Sequence, residues 1–149
     1  MDVPGTVSEI LGGKRSEVWS VTPESTVFQA IQLMADKNIG ALPVLDGNRL
    51  VGIISERDYT RKVILKGRSS KATPVRDIMS KNLSVAALND TVVDCLRVMT
   101  DSKVRHLPVL DGQDMVGIIS IGDLVKWIIS AQTAAIDQLE RYITGAYPA

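Results

Sequence analysis

What this sequence lacks closes off several chemistries. Its 149 residues include one Cys and one His. A single Cys excludes a disulfide framework and a Cys-based zinc site, and a single His excludes a multi-histidine metal centre. No metal is expected. Two Trp, three Tyr and one Phe are too few for a surface that stacks the bases of a single strand. Neither sign of charge is in excess, since 17 Lys plus Arg meet 17 Asp plus Glu. That balance argues against a chain built mainly to grip nucleic acid. Combined with 45% hydrophobic residues, it also excludes a disordered tail. No apolar run approaches the roughly 20 residues of a membrane span. Residues 1–10 lack the basic-then-apolar order of a secretory signal. A soluble cytoplasmic protein is the expectation. The length is that of one ordinary domain, able to bury roughly 70% of its unfolded surface.

Within that length the chain repeats itself. LPVLDG occurs at 42–47 and at 107–112, and VGIIS at 51–55 and at 116–120, both at an offset of 65. Aligning 39–58 with 104–123 gives 12 identities in 20 positions, where chance gives roughly one or two. Val27, Ala30, Ile31 and Met34 match Val92, Cys95, Leu96 and Met99 at the same offset. Both sets share the i, i+3, i+4, i+7 spacing of one helix face. The openings TVSEIL (6–11) and PVRDIM (74–79) correspond at an offset of 68, so the first copy carries a longer loop around Gly12 to Glu17.

Each copy reads β-α-β-β-α. A short extended segment (Val18 to Val21; Leu83 to Val85) precedes a helix opened by Thr26 with Gln29, or Thr91 with Asp94. Both pairs have the form of a capping box. A strand follows (Ala41 to Leu45; His106 to Leu110), whose Pro suits an edge or a strand start. Asp46-Gly47-Asn48 and Asp111-Gly112-Gln113 signal turns. A second strand (Leu50 to Ile54; Met115 to Ile119) leads to a helix beginning at Ser55 or Ser120, the first stopped by Gly67. The expected fold is α/β: repeats at 6–73 and 74–130 packed with pseudo-two-fold symmetry and a cleft where they meet, plus a C-terminal helical extension at 131–149. In that extension Ile136, Leu139 and Ile143 form an apolar stripe, and Gly145 and Pro148 signal a stop. The extension reads as a separate helix or as a continuation of the one before it. Its stripe suits a core edge or a partner, because it lacks the basic face of a membrane-surface helix.

The sharpest chemical motif is Gly-Ile-Ile-Ser-x-x-Asp, at 52–58 and 117–123. It joins a buried strand to a helix N-terminus, where free N–H groups and the helix dipole favour an anion. The Ser55 or Ser120 hydroxyl adds a donor. Asp58 or Asp123 can accept hydrogen bonds from a vicinal diol such as that of ribose. The same spacing is also a plain capping box that needs no ligand. The stretch before LPV differs between copies. Ile39-Gly40-Ala41 is small and apolar and suits a flat base; Arg105-His106 is basic and suits phosphate. Arg105 reads equally as a solvated arginine, and His106 as a packing residue. Residues 57–76 hold seven bases and one acid. Lys66 to Arg76 read as a solvated face and linker, while Arg57 and Arg61 suit an anion. Cys95 reads as a packed core thiol, and Trp19 and Trp127 as core or interface. No nucleophile–base pair, carboxylate dyad or GxxxxGK phosphate loop is visible, so an enzyme is not expected.

These motifs, IGALPVLDGNRLVGIISERDY (39–59) and VRHLPVLDGQDMVGIISIGDL (104–124), resemble the CBS domain, named for cystathionine beta-synthase, in the tandem arrangement called a Bateman module. The resemblance covers about residues 6–130, in the stand-alone, single-module form. It implies a regulatory module that binds an adenosine nucleotide between its repeats: AMP, ADP, ATP, NAD or NADH, or S-adenosylmethionine. It places ribose on Asp58 and Asp123, phosphate on Ser55 and Ser120 and on Arg105 and His106, and the base along Val21 and Thr22 and along Ile39, Gly40 and Ala41. Gly40 and Ala41 depart from the basic pair, which speaks against two equivalent charged sites. The resemblance also implies a homodimer acting on a regulated protein partner, not on a membrane or nucleic acid. The alternative is a ligand-free dimerisation scaffold in which Ser55, Asp58, Ser120 and Asp123 are only helix caps.

Overall fold

The structure, a computed structural model, describes residues 3–12 and 18–143. Most of the loop at 12–17 lies outside the described residues, as do the stop signals Gly145 and Pro148. The described chain falls into two compact units. The first holds residues 18–85 and 110–116; the second holds 3–12, 86–109 and 117–143.

In the first unit, α2 (Val27–Lys37) starts at the expected capping box. Gln29 N donates to Thr26 Oγ1 at 3.1 Å, and Thr26 N donates to Gln29 Oε1 at 2.9 Å. The helix ends at Asn38, which takes the left-handed conformation at φ 54, one that Asn tolerates better than most residues. Strands β1 (Ala41–Asp46) and β2 (Arg49–Ser55) form an antiparallel hairpin around Gly47, with a register shift after Val44. Gly47 has φ 66, which the tight turn requires. The core joins Val27, Ala30 and Met34 of α2 to Leu42, Val44 and Ile54 of the strands, together with Val63, Val75 and Ile78. Burying each such aliphatic side chain contributes about 1.5–3 kcal/mol.

The second unit repeats this plan. Here α4 (Val92–Ser102) starts at the Thr91–Asp94 capping box, with bonds of 3.0 and 3.1 Å, and ends at Lys103 with φ 55. Strands β4 (His106–Asp111) and β5 (Asp114–Ser120) follow, with the short β3 (Ala86–Ala87) beside β4. The start of β5 belongs to the first unit, where Asp114 pairs with Arg49. The core contains Val92, Cys95, Met99, Leu107, Val109, Ile119 and Leu124. Cys95 is 1% exposed, and burial, with Asp90 and Asp94 nearby, pushes its thiol up to about 11. It is a core thiol, held neutral at physiological pH.

Each core takes its opening segment from the other copy of the sequence. Helix α1 (Val7–Gly12) of the first opening places Val7 and Ile10 in the second unit's core. The 3-10 turn Val75–Asp77 of the second opening places Val75 in the first unit's core, alongside Ile78. The hydrogen bonds match: Val92 N donates to Gly5 O at 3.2 Å, and Val27 N to Thr73 O at 2.9 Å.

Two sequence expectations need correction, and the structure narrows two others that the sequence left open. The extended segment of the second copy does not pair at Leu83 to Val85. Pairing begins at Ala86, the counterpart of Val21, which itself makes only a parallel bridge to Val44. The helix expected from Ser55 to Gly67 is α-helical only over α3 (Glu56–Tyr59). It then widens into a π turn, Thr60–Ile64, where Leu65 N bonds to Thr60 O at 3.1 Å. Gly67 does close it, at φ 67. In the second copy α5 (Ile121–Ile143) runs unbroken, so the extension continues that helix. Its stripe covers no core edge of its unit: Ile136, Leu139 and Ile143 are 56%, 59% and 72% exposed. Trp19 is also no core residue, lying half-exposed under the Lys37 ammonium at 4.0 Å. Among the described residues no helix is long and apolar enough to cross a membrane.

Candidate functional site

Each unit gathers its own copy's candidate residues where a strand start meets a helix start. In the first unit, Glu56 N at the head of α3 donates to Gly40 O at 3.0 Å. This joins Ile39, Gly40 and Ala41 to the Ser55–Asp58 turn. In the second unit, Ile121 N at the head of α5 donates to Arg105 O at 2.8 Å. This joins Arg105 and His106, both exposed at the start of β4, to Ser120 and Asp123. The two joints use the same bond at equivalent positions because the repeat fixes the strand and helix around it.

The Ser-x-x-Asp turns are capping boxes in both units. Asp58 N donates to Ser55 Oγ at 3.1 Å, and Asp123 N to Ser120 Oγ at 3.1 Å. In return Ser55 N donates to Asp58 Oδ2 at 3.0 Å, and Ser120 N to Asp123 Oδ2 at 2.8 Å. Each box fixes a carboxylate at the first turn of its helix, where the dipole favours negative charge. That helix is 4 residues long in the first unit and 23 in the second.

Beyond the shared box the surroundings of the two acids part. Asp58 is buried, and Ser55 Oγ donates to its Oδ2 at 3.1 Å. Lys62 Nζ lies 3.0 Å from its Oδ1, and Ser80 Oγ lies 3.4 Å from the same oxygen. Lys62 Nζ also donates to Ile78 O at 2.9 Å. Asp123 is half-buried. The residue one turn beyond it, where Lys62 would correspond, is Trp127, whose indole N–H donates to Pro4 O at 2.6 Å.

The other candidates of the first copy are less constrained. Thr22 is exposed, its Oγ1 3.0 Å from Ser25 Oγ, while Val21 is buried in the core. Gly40 is exposed, with open space where a Cβ would stand. Arg57 and Arg61 are exposed on the helical segment that follows Ser55. Three further bases of the stretch have partners. Arg68 bonds to Asp77 at 3.0 Å, Arg76 reaches Glu24 at 3.5 Å, and the Lys71 ammonium lies 5.0 Å over the Phe28 ring. Sequence reasoning passed over Lys62 and Ser80. Lys62 carried a signal, standing four residues after Asp58 at the spacing where helical side chains meet. Ser80 lies 22 residues away and carried none.

Comparison with known proteins matches this chain to a family model described as the CBS domain, twice, at residues 7–64 and 75–130. A relative from Arabidopsis thaliana, "CBS domain-containing protein CBSX3, mitochondrial", is 38% identical over 95% of this chain and 73% of its own length. A solved structure from Burkholderia ambifaria, described as a putative signal-transduction protein with CBS domains, is 47% identical. It has a TM-score of 0.78 and covers 86% of this chain and 96% of its own. A second solved structure, the CBS domain pair of protein MJ0100, shares the fold at TM-score 0.70 and 22% identity, covering 82% of this chain and 94% of its own. That protein is in complex with 5-methylthioadenosine and S-adenosyl-L-methionine.

Proposed function

The chain belongs to the CBS-domain family, and on that footing we propose that it is a regulatory module that binds an adenosine ligand and reports its level to a protein partner. The observation that carries this reading is the joint in the second unit. There Ser120 and Asp123 stand at the head of a 23-residue helix whose first N–H is tied to Arg105 O. A helix end, a hydroxyl, a carboxylate and a basic pair suit the phosphate and ribose of one nucleotide. Asp123 takes the ribose hydroxyls, and Arg105, His106 and Ser120 take phosphate. The first copy offers the equivalent acid half at Ser55, Arg57 and Asp58. It also offers a small, open lining at Val21, Thr22, Ile39, Gly40 and Ala41 that suits a base. The ligand is AMP, ADP, ATP, NAD or NADH, or S-adenosylmethionine. The adenosine ligands of the CBS pair that shares this fold support that class. The module works as a homodimer, and ligand acts by binding one of two arrangements better than the other. No residue is assigned to catalysis.

A second reading rests on the two completed capping boxes. Their hydrogen bonds suffice to explain Ser55, Asp58, Ser120 and Asp123 in a scaffold that binds no nucleotide. Thermal unfolding with AMP, ADP, ATP, NAD, NADH and S-adenosylmethionine separates the two. At 100 times its dissociation constant, a true ligand stabilises the chain by about 2.7 kcal/mol. That raises Tm by several degrees for a chain of this size. No shift with any of the six leaves the scaffold reading standing.

A further inference from the structure

We infer that α5 carries a coiled-coil seam that runs on past the repeat, and that the occupant of this seam is α5 of a second copy of the chain. This rests on the homodimer clause of the reading above and names the surface that clause leaves open; it does not depend on any ligand. In the first copy Gly67 closes the last helix at φ 67, and Gln132 stands at the equivalent place in the second. There α5 runs on to Ile143. Every residue from 132 to 143 is exposed, so neither unit covers this stretch. A helical stretch that packs on nothing is marginal in water, because most helical stability in proteins comes from packing an apolar face.

That face is present, and it has the spacing of a seam. Val125, Ile129, Gln132, Ile136, Leu139 and Ile143 follow one another in alternating steps of four and three residues. The five apolar members are all exposed. In heptad terms Ile129, Ile136 and Ile143 fall on a, and Val125, Gln132 and Leu139 on d. Such a seam is filled by the knobs of another seam, and a two-fold pair of identical copies presents each seam to the other. The flanks allow it. At positions e and g from 126 to 142 the only charged residues are Lys126 and Glu140. Two helices running the same way place Glu140 across from Ala135 of the second copy. Two running opposite ways place it across from Lys126. In neither case do identical copies set like charges against each other. A lipid surface fits poorly, since residues 132–143 carry Asp137 and Glu140 against Arg141 alone, where a membrane-surface helix is rich in bases.

The test is sedimentation velocity of the full chain over a range of concentrations. Wild type is expected to be a dimer. Ile136→Asp puts a charge in the seam and is expected to raise the dissociation constant of the dimer about a hundredfold or more. Ala134→Asp puts the same charge on the same stretch at position f, away from the seam, and is expected to keep the wild-type dimer. Ile136→Leu is expected to keep it too. A short thiol-to-thiol crosslinker is expected to join copies of Leu139→Cys where the helices run the same way, or of Ala135→Cys where they run opposite ways. Wild type, whose Cys95 is buried, is the blank. A dimer that Ile136→Asp leaves intact overturns the inference while the homodimer clause stands. So does crosslinking of neither cysteine variant. Equal weakening by Ile136→Asp and Ala134→Asp also overturns it, because that reports loss of helix and not of a seam. A wild type monomeric at every concentration overturns the inference and the homodimer clause together, and flotation of that monomer with anionic vesicles would assign the stripe to a membrane. None of these results bears on the adenosine reading, which the thermal shifts above test by themselves.

Discussion

The two units are built from one repeated plan, and they agree wherever the plan concerns folding. Thr26–Gln29 and Thr91–Asp94 close the same box. Gly52 packs where a Cβ would strike Met79, and Gly117 where it would strike Leu11. The two units disagree around the acids. Lys62 faces Trp127 across the alignment, Ser80 faces Gly12, and Gly40-Ala41 face Arg105-His106. The copies therefore keep a common frame and differ in the residues that surround their two acids.

The shared frame can be broken first at its centre. Leu42 and Leu107 are equivalent and both 0% exposed. Leu42→Ala and Leu107→Ala should each cost about 2–5 kcal/mol, the transfer of the side chain plus the cavity it leaves. Urea unfolding measures both, and an effect present in one unit and absent in the other would break the equivalence. A smaller effect separates Gly5 from its counterpart Thr73. Gly5 sits at φ 121, and an added Cβ would fall on the Trp127 indole. Gly5→Ala should cost roughly 1–3 kcal/mol from backbone strain alone, beyond whatever the indole loses by moving. Thr73→Ala removes the bond from its Oγ1 to Ser69 O at 2.6 Å together with a buried methyl group, and should cost about 1–2 kcal/mol. Equal losses at the two positions would show that the indole yields without strain.

The parts legible in the sequence were those fixed by short-range spacing. The capping boxes at Thr26 and Thr91, the turns at Gly47 and Gly112 and the buried face of α4 around Cys95 all follow from residues within one or two turns of each other. Both hairpins were legible for the same reason, although the second strand of each extends a residue further at both ends, as Arg49–Ser55 shows, and the first strand at its C-terminal end alone. The exchange of openings was not legible. Nothing local to Val7 or Ile10 states that they pack on Val92 and Leu107 rather than on their own copy. The π turn at Thr60–Ile64 was hidden too, since its sequence carries an ordinary helical pattern. At the site, the sequence marked both Ser-x-x-Asp turns and set Gly40-Ala41 apart from Arg105-His106, reading the two copies as unequal. What it did not show is the company of Asp58: Lys62 is a neighbour at helical spacing, and Ser80 is brought there only by the folded first unit.

The most direct measurement is a crystal structure of the protein grown with saturating AMP. The account predicts density for the nucleotide with its ribose hydroxyls on the Asp123 carboxylate and phosphate at Ser120, Arg105 and His106. A structure with no nucleotide at either acid would contradict it.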